Sequence, residues 1–339
     1  MSLYPLKFKP RLLEKMWGGR KIGSLLGKPL PANQNIGESW ELYDFPPGVV
    51  DNSPGWISAE VADGPLAGKT LHQLVEQFGR DLYGDARLVG ECGQFPILIK
   101  FLDAQQDLSI QVHPDAKYAA AHPDAFLKSE AWYIVQSDPG ARLFKGLIPG
   151  TSSQQFKDSI AQGHCELLLN SVPVKPGQCF YLPSGTVHAV GAGILAAEVQ
   201  TPSDTTFRVY DFNRVDPSTG KLRKLHVEQA LDCIHFAEQA PTPKPTQHVG
   251  ELHVPEKSLV CCEYFELEEV RLHHGVEESL RSEQPIIWIM LEGNAQLKVD
   301  DLAQPVHLGR GDTVLLPAAM KNPIVKTSSH CLFLEVTFP

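Results

Sequence analysis

The chain has 339 residues, of which 42% are hydrophobic, and its formal net charge at pH 7 is −10. This length and apolar content are typical of one large or two medium globular domains with a buried core. The acidic balance argues against a general nucleic-acid binder, which normally presents a basic face.

The cysteines and the hydropathy indicate where the protein works. Its seven cysteines include one adjacent pair but no C-x-x-C pair, a pattern that favours reduced thiols over a disulfide framework or a cysteine zinc site. The first residues lack the long apolar region of a signal peptide, and no apolar run approaches the ~20 residues of a membrane helix. We therefore expect a cytoplasmic protein with no membrane or nucleic-acid partner. The sequence shows no heptad pattern, which favours a monomer.

Most of the predicted elements are short strands. Pro and Gly, 27 of each, separate many short apolar runs. Strands at close spacing between turn residues indicate sandwiches or jelly rolls rather than βαβ units. The clearest runs are residues 95–101, 108–113, 131–135, 178–182, 194–199, 286–291 and 313–316.

Three segments carry helix signals and are predicted to cover this β framework. Thr70 precedes an amphipathic run that ends at Gly79, and Thr151 with Ser152 precedes a run that continues to Gly163. Hydroxyl residues followed by Gln are typical of helix starts. A third helix is predicted over residues 224–232.

Polar side chains alternate with apolar ones along one predicted strand. Because successive strand residues point to opposite faces, Ser109, Gln111 and His113 share one face. Glu130 leads the next apolar run, and His188 closes a turn rich in Pro and Gly. Two imidazoles, a carboxylate and an amide oxygen suit a divalent metal with an open position for substrate, as in catalytic zinc sites. The amide could instead orient a neighbouring ligand.

A proline-rich segment divides the chain. Residues 240–246 contain three alternating prolines and no apolar pattern, which predicts an extended linker. We expect a metal-binding domain with helical insertions at 1–239, a linker at 240–250 and a smaller β-rich domain at 251–339.

A weak internal repeat relates the two parts. The stretch from Gly177 to His188 has a counterpart from Gly311 to Asn322, with the same interval from Gly to Pro, and residues 131–136 resemble residues 286–291. This alignment sets Pro285 opposite Glu130 and Asn322 opposite His188. The C-terminal copy is therefore predicted to keep the β framework without the metal ligands.

These motifs resemble known families. The pattern G-x5-P-x-G-x2-H that ends at His188 resembles the second motif of the cupin superfamily, and the two copies resemble a bicupin. A more specific set of strings is similar to type I mannose-6-phosphate isomerase (phosphomannose isomerase) in its short bacterial form. These strings are SIQVHPD at 109–115, KSEAWY at 128–133, PSGTVHA at 183–189 and SDTTFRVYD at 203–211. The similarity runs from residues 17–19 and 37–41 to about residue 231 and is looser after the linker.

The resemblance implies a fold, a reaction and a set of site residues. The fold would be mainly β, with two cupin (jelly-roll) β-barrel units and a few covering helices. The reaction would interconvert mannose 6-phosphate and fructose 6-phosphate through a cis-enediol. One Zn²⁺ per chain would be held by Gln111, His113, Glu130 and His188. Lys128 would transfer protons, Asp204 would assist ring opening, and Arg208 would stabilise negative charge. One departure is Leu127, where some longer enzymes of the family carry a histidine.

Several of these residues also have ordinary structural interpretations. Lys100 either contacts the substrate phosphate or ends a buried strand with its ammonium in water. Ser109 donates either to that phosphate or to backbone, and Trp17 either lines the pocket or packs in the core. Asp204 and Arg208 could form an exposed surface pair. Other histidines are predicted to lie on the surface: His122, His226, His273 and His274.

Two rival functions remain open from sequence alone. A cupin enzyme of another chemistry, such as an iron oxygenase or an enzyme acting on another sugar, would share the fold, although the usual two-histidine first motif has Gln111 in one position here. A sugar-binding regulator without catalysis would be expected to carry a damaged ligand set in the first unit.

Overall fold

The structure is a computed structural model that describes residues 2–50, 53–89, 93–216, 220–236, 255–280 and 283–339. The linker predicted at 240–250 lies outside these residues. Within them strands dominate and helices are few and short, which confirms the predicted mainly β class. No described helix combines the length and apolarity needed to cross a membrane.

The elements follow one another in this order. The strands are β1 Leu6–Lys7, β2 Arg11–Gly19, β3 Ile36–Leu42, β4 Asp44–Phe45, β5 Ile57–Ser58, β6 Leu98–Ala104, β7 Ile110–Val112, β8 Glu130–Ser137, β9 Arg142–Leu147, β10 Leu169–Pro173, β11 Cys179–Leu182, β12 His188–Val190, β13 Ile194–Gln200, β14 Phe207–Tyr210, β15 Pro255–Cys261, β16 Glu266–Leu272, β17 Glu277–Ser279, β18 Ile286–Glu292, β19 Asn294–Lys298, β20 Val306–Gly309, β21 Thr313–Leu316, β22 Ile324–Thr327 and β23 Cys331–Thr337. The helices are α1 Lys21–Leu26, α2 Leu71–Phe78, α3 Arg80–Tyr83, α4 Ala116–Ala121, α5 Ser153–Gln162 and α6 Val227–Cys233, with a short 3-10 helix at Cys165–Leu168.

Two pairs of antiparallel sheets form the two β units. The N-terminal unit has one sheet in the order β11-β8-β13-β6-β2-β3 and a second in the order β10-β9-β12-β7-β14. The C-terminal unit has sheets in the orders β1-β21-β18-β23-β16-β15 and β17-β22-β19-β20. The strand orders correspond between the units, with β8 matched by β18, β13 by β23 and β12 by β22. Strand β14 has no counterpart among the described strands of the C-terminal unit.

The repeat extends to individual side chains. Trp132 lies opposite Glu198 in the N-terminal unit, and Trp288 lies opposite Glu335 in the C-terminal unit. Each indole donates to the facing carboxylate, at 3.0 Å and 2.8 Å. Gly177 and Gly311 occupy the matching tight turns with φ of +83° and +85°, a conformation that favours glycine.

This register corrects the sequence alignment. Trp132 matches Trp288, so Ile286 and not Pro285 stands where Glu130 is. Asn322 has a positive φ of 48°, and its side chain donates to Asp300 in the turn before β22, so it does not share the strand position of His188. The sequence alignment is wrong by one residue because residues 286–291 are all apolar. Hydrophobicity alone therefore fits either of two alignments with the N-terminal run at 131–136.

The two units share one hydrophobic core. Strand β1, at the start of the chain, pairs with β21 of the C-terminal sheet, with Leu6 opposite Leu315. A continuous cluster of buried residues includes Leu6, Trp40 and Trp288. The boundary read from the linker therefore does not coincide with the boundary between the sheets.

Two of the three predicted helices are confirmed with their caps. Thr70 and Ser152 each form a capping box with the Gln three residues later. The third helix is α6, which begins at Val227 rather than at residue 224. The residues before it run alongside β14, where His226 donates its backbone N–H to Arg208 O at 2.8 Å; that pairing keeps them out of the helix.

Candidate metal centre and active site

The predicted metal ligands meet between the two sheets of the N-terminal unit. Glu130 opens β8 in one sheet, whereas Gln111 on β7 and His188 on β12 face each other across neighbouring strands of the other sheet. His113 follows directly after β7. The alternation along this strand therefore works as predicted, because it turns the polar residues toward the space between the sheets.

Three side chains form a compact buried cluster. The donor atoms of His113, Glu130 and His188 lie within 4.8 Å of one another. His113 Nε2 is 3.5 Å from Glu130 Oε2, and His188 Nε2 is 3.1 Å from Glu130 Oε1. All three residues are at most 1% exposed. Among the described residues this is the one such group of His, Cys, Asp and Glu side chains.

Backbone carbonyls orient both histidines. His113 Nδ1 is 2.9 Å from Thr205 O, and His188 Nδ1 is 2.8 Å from Thr186 O. Because a carbonyl only accepts, each Nδ1 donates to it, and each ring turns its Nε2 toward Glu130. Both rings are therefore oriented with Nε2 available as the metal-binding atom.

The electrostatics keep the cluster in its ligand form. Burial, and then the nearby Lys128 ammonium, lowers the pKa of His113 to about 3, so this imidazole is neutral. Burial alone would raise the pKa of Glu130, but its charged and hydrogen-bonding neighbours, the Lys128 ammonium first among them, outweigh burial and hold that pKa well below its usual range. Neutral imidazole and ionised carboxylate are the forms in which these side chains bind metal.

Unsatisfied atoms show that the cluster fits a cation. His113 Nε2 and both carboxylate oxygens of Glu130 are buried without a hydrogen-bond partner, although Lys128 Nζ forms an ion pair at 3.0 Å with Glu130 Oε2. A buried polar atom without a partner carries a desolvation penalty of about 1–3 kcal/mol. Two imidazole nitrogens and one carboxylate oxygen are also a usual set for a catalytic divalent metal.

Gln111 lies at the edge of this cluster. Its Nε2 is 3.4 Å from His188 Nε2, and its Oε1 accepts from Ser109 Oγ at 3.5 Å. Turning the amide over would present Oε1 to the cluster, since the oxygen and nitrogen of an amide occupy similar positions. Gln111 is thus placed either to bind the metal or to orient His188.

A cavity of about 250 Å³ opens beside the cluster. Gln111 and Lys128 lie in its wall and touch the cluster. The wall also contains every residue predicted for catalysis or substrate binding: Arg208, Lys128, Asp204, Lys100, Ser109 and Trp17. The structure brings these residues together from five segments of the chain.

Two acidic residues of this wall were missed by the sequence analysis. Glu198 is buried, accepts from the Trp132 indole and lies 2.9 Å from Lys100 Nζ. Glu38 lies 3.9 Å from the same ammonium and 3.1 Å from Lys15 Nζ. Burial, followed by the neighbouring Glu130 carboxylate, raises the pKa of Glu198 to about 7. One sequence signal points to Glu198, because it is the one charged residue in the apolar run at 194–199, but the sequence does not show which distant side chains it meets.

Lys100 is held by these carboxylates. Burial would lower the pKa of Lys100, but Glu198 and Glu38 outweigh it and raise that pKa. The ammonium therefore stays charged inside the wall. The interpretation of Lys100 as an ammonium that reaches water does not apply, because the residue is only 6% exposed.

Arg208 and Asp204 do not form a surface ion pair in the described structure. Arg208 Nη1 donates to Lys224 O at 3.1 Å, and its Nε is buried without a partner. Asp204 lies at the mouth of the cavity, open to solvent yet flanked by protein, and this partial desolvation raises its pKa. His226 was predicted to lie on the surface, but it lines the cavity, and its Nδ1 accepts from Arg208 N at 3.3 Å.

Comparison with known proteins identifies the family of this chain. Residues 6–136 match the family model described as phosphomannose isomerase type I, catalytic domain. The chain is 35% identical to mannose-6-phosphate isomerase ManA of Bacillus subtilis over 98% of this chain and 99% of the relative. It is 33% identical to a mannose-6-phosphate isomerase of Streptococcus mutans over 94% of each chain.

Solved structures extend the match to the fold. The crystal structure of the mannose 6-phosphate isomerase from Bacillus subtilis superposes with a TM-score of 0.84 at 31% identity, covering 98% of this chain and 99% of that one. A putative mannosephosphate isomerase from Archaeoglobus fulgidus shares the fold with a TM-score of 0.71 at 20% identity, over 98% and 97% of the two chains. On the full-length identity to curated relatives, this chain belongs to the type I phosphomannose isomerase family.

Proposed function

We propose that this protein is a zinc-dependent aldose-ketose isomerase that interconverts mannose 6-phosphate and fructose 6-phosphate through a cis-enediol. The observation that carries the proposal is the buried cluster of His113, Glu130 and His188, with its unsatisfied donor atoms, beside a polar cavity. Family membership supplies the substrate, since the curated relatives are named mannose-6-phosphate isomerases.

The metal would be held by the cluster. His113, Glu130 and His188 would bind it, and Gln111 would complete or orient the set. When bound, zinc supplies a Lewis acid that stabilises negative charge on the C1 and C2 oxygens of the open-chain sugar.

Proton transfer between C1 and C2 needs side chains that hold and release a proton at the cavity wall. Glu198 is a buried carboxylate whose orientation is fixed by the Trp132 indole. We assign to Glu198 the role of the base that removes the proton from one sugar carbon and returns it to the other. Lys128 Nζ lies beside Glu130, and we assign it the exchange of protons with the sugar oxygens. Glu198 would thus transfer the proton on carbon, and Lys128 the protons on oxygen.

Arg208 and Asp204 would act around this pair. Arg208 keeps its charge at any working pH and lies next to Gln111 across the β7–β14 pairing, where it would stabilise the enediol and orient it. Asp204, at the mouth of the cavity, would take the proton of the anomeric hydroxyl as the bond between the anomeric carbon and the ring oxygen breaks, and would return it to the ring oxygen. Trp17 offers an apolar face in the same wall.

A coupled assay tests the proposal. Purified protein loaded with Zn²⁺ should convert mannose 6-phosphate to fructose 6-phosphate, and Glu130→Ala should abolish the conversion. The same samples loaded with Fe²⁺ should consume no oxygen, which separates the isomerase from a cupin oxygenase. Wild-type protein that binds the sugar phosphate without converting it would overturn the proposal in favour of a regulator.

A further inference from the structure

The cations along the cavity wall differ in how many carboxylates lie close enough to balance them. At the metal end, Lys15, Lys100 and Lys128 are each within 4 Å of a carboxylate, namely Glu38, Glu198 or Glu130. These three cations are therefore neutralised by the protein itself. A substrate phosphate that approached this end would meet buried carboxylates as closely as ammonium groups.

The β14 side of the wall, which we call the arginine end, begins at Arg208, opposite Gln111 on the neighbouring strand. Arg208 and Arg223 both line the cavity, and neighbouring Arg214 is ion-paired with Asp211. Arg223 Nη1 lies 3.4 Å from the same Asp211 carboxylate. Among the described ion pairs, Asp211 is thus shared by two arginines, and Arg208 has no carboxylate within ion-pair distance. In the described part of the chain, Asp211 is thus the one carboxylate within ion-pair distance of any of these three guanidinium groups.

The positive charge of Arg208 is only partly balanced. Burial, and then the like charge of Arg223, lowers the pKa of Arg208 to about 10, although Asp211 acts in the opposite direction. Its Nε is buried with no acceptor. Guanidinium groups with spare donors bind phosphate strongly, because they pair charge with directed hydrogen bonds.

The spacing suits a sugar phosphate whose other end lies at the metal. His188, Gln111 and Arg208 lie opposite one another on β12, β7 and β14, and the backbone at His226 bonds to Arg208 beyond them. These three spacings place that segment roughly 14 Å from His188, at about 4.8 Å per strand. Arg223 lies three residues before His226 in the chain, and it lines the cavity.

We infer that Arg223 is a specificity-determining residue that binds the phosphate group of the substrate at the arginine end of the cavity. The inference rests on the proposed function for the identity of the substrate. It places the phosphate away from Lys100 and Ser109, whose polar groups are already engaged with Glu198 and Gln111. This contact would bind the phosphate equally in the ground state and in the transition state, because the phosphate does not react.

Steady-state kinetics of Arg223→Gln test the inference. Loss of a charge-assisted bond to phosphate should raise the KM for mannose 6-phosphate about 10-fold or more, while kcat changes by less than about 3-fold. Inorganic phosphate should inhibit the wild type competitively, and its inhibition constant should rise by the same factor in the variant. Arg223→Lys should restore part of both effects. Arg142→Gln, which changes an exposed arginine bonded to Ser171, is the matched control and should alter neither constant.

Binding of inorganic phosphate by calorimetry keeps the inference separate from the activity. If the wild type fails to isomerise mannose 6-phosphate but binds phosphate in an Arg223-dependent way, the proposed function fails and the anion site stands. If Arg223→Gln leaves both the KM and phosphate binding unchanged, the inference is wrong. A fall in kcat together with melting temperature, which Arg223→Lys does not rescue, would also overturn it by showing a structural role.

Discussion

The two β units of this chain share a framework but differ in what fills the space between their sheets. Both have the same strand order, the same glycine turn and the same Trp–Glu pair. In the N-terminal unit Glu130 and His188 face this space, whereas the matching strands of the C-terminal unit begin with Ile286 and Ile324. The framework therefore does not determine the chemistry; a few polar positions do.

The strand that carries Arg208 sharpens this difference. Strand β14 is the fifth strand of one sheet of the N-terminal unit. It carries Arg208, which lines the cavity and belongs to the arginine end. The described part of the C-terminal unit has no such strand, and its sheets enclose packed apolar residues such as Trp288 and Phe333. The N-terminal unit therefore has a polar cavity between its sheets, whereas apolar side chains fill the matching space in the described part of the C-terminal unit.

The largest effect should come from alanine substitutions at the matched first positions of β8 and β18. Glu130→Ala removes the central carboxylate of the cluster, so we expect loss of bound zinc and a fall in kcat of about 10³-fold or more, equal to several kcal/mol of lost stabilisation. Ile286→Ala should leave metal content and kcat unchanged. Metal analysis and the isomerase assay on both variants check this. Equal metal contents in the two variants would contradict the assignment of the metal centre to the N-terminal unit.

The paired carboxylates provide the next test. Glu198→Gln should lower kcat by about 10²-fold, because the amide still accepts from Trp132 but no longer takes a proton. Glu335→Gln, at the matching site opposite Trp288, should change kcat by less than about 3-fold. Turnover should be measured at 25 °C on samples whose circular dichroism shows them folded. Equal losses of kcat in the two variants would mean that Glu198 supports the fold and takes no part in proton transfer.

Sequence alone could predict the parts of this site that depend on local pattern. The alternation around Gln111 and His113 fixes their shared face, and the caps at Thr70 and Ser152 fix two helix starts, since each is decided within a few residues. Glu198 was missed because its partners Trp132 and Lys100 come from strands far away in sequence. His226 was misplaced because only the pairing with β14 turns it inward.

The shared core predicts that the two units do not unfold separately. Leu6 is fully buried in the C-terminal sheet, so Leu6→Ala should reduce the free energy of unfolding by about 2–4 kcal/mol. Urea unfolding should remain a single transition by fluorescence and by circular dichroism. Leu167→Ala, at a side chain that is 68% exposed, should change the free energy by less than about 0.5 kcal/mol. Two resolved transitions would contradict a common core.

The smallest effect concerns the ion pairs that Glu38 forms with Lys100 and Lys15 in the wall of the N-terminal cavity. Burial would raise the pKa of Glu38, but Lys100 and Lys15 lower it to about 2. A carboxyl whose pKa is lowered by folding stabilises the protein above its unfolded pKa of about 4.3 and loses that contribution as pH falls toward the folded value.

Glu38→Gln should therefore be less stable than the wild type by about 2 kcal/mol at pH 7. The difference should narrow between pH 5 and pH 3. Urea unfolding of both proteins at several pH values measures it. A difference that stays constant with pH would show that the effect of Glu38 is steric rather than ionic.

Zinc titration of metal-free protein tests the central claim most directly. Protein stripped by a chelator is given Zn²⁺ in steps, and bound metal and conversion of mannose 6-phosphate are measured on the same samples. We expect no conversion without metal and a linear rise in rate up to one bound ion per chain, with neither binding nor rate in His113→Ala. Full conversion by the stripped protein, or by His113→Ala, would contradict the assignment of the metal centre.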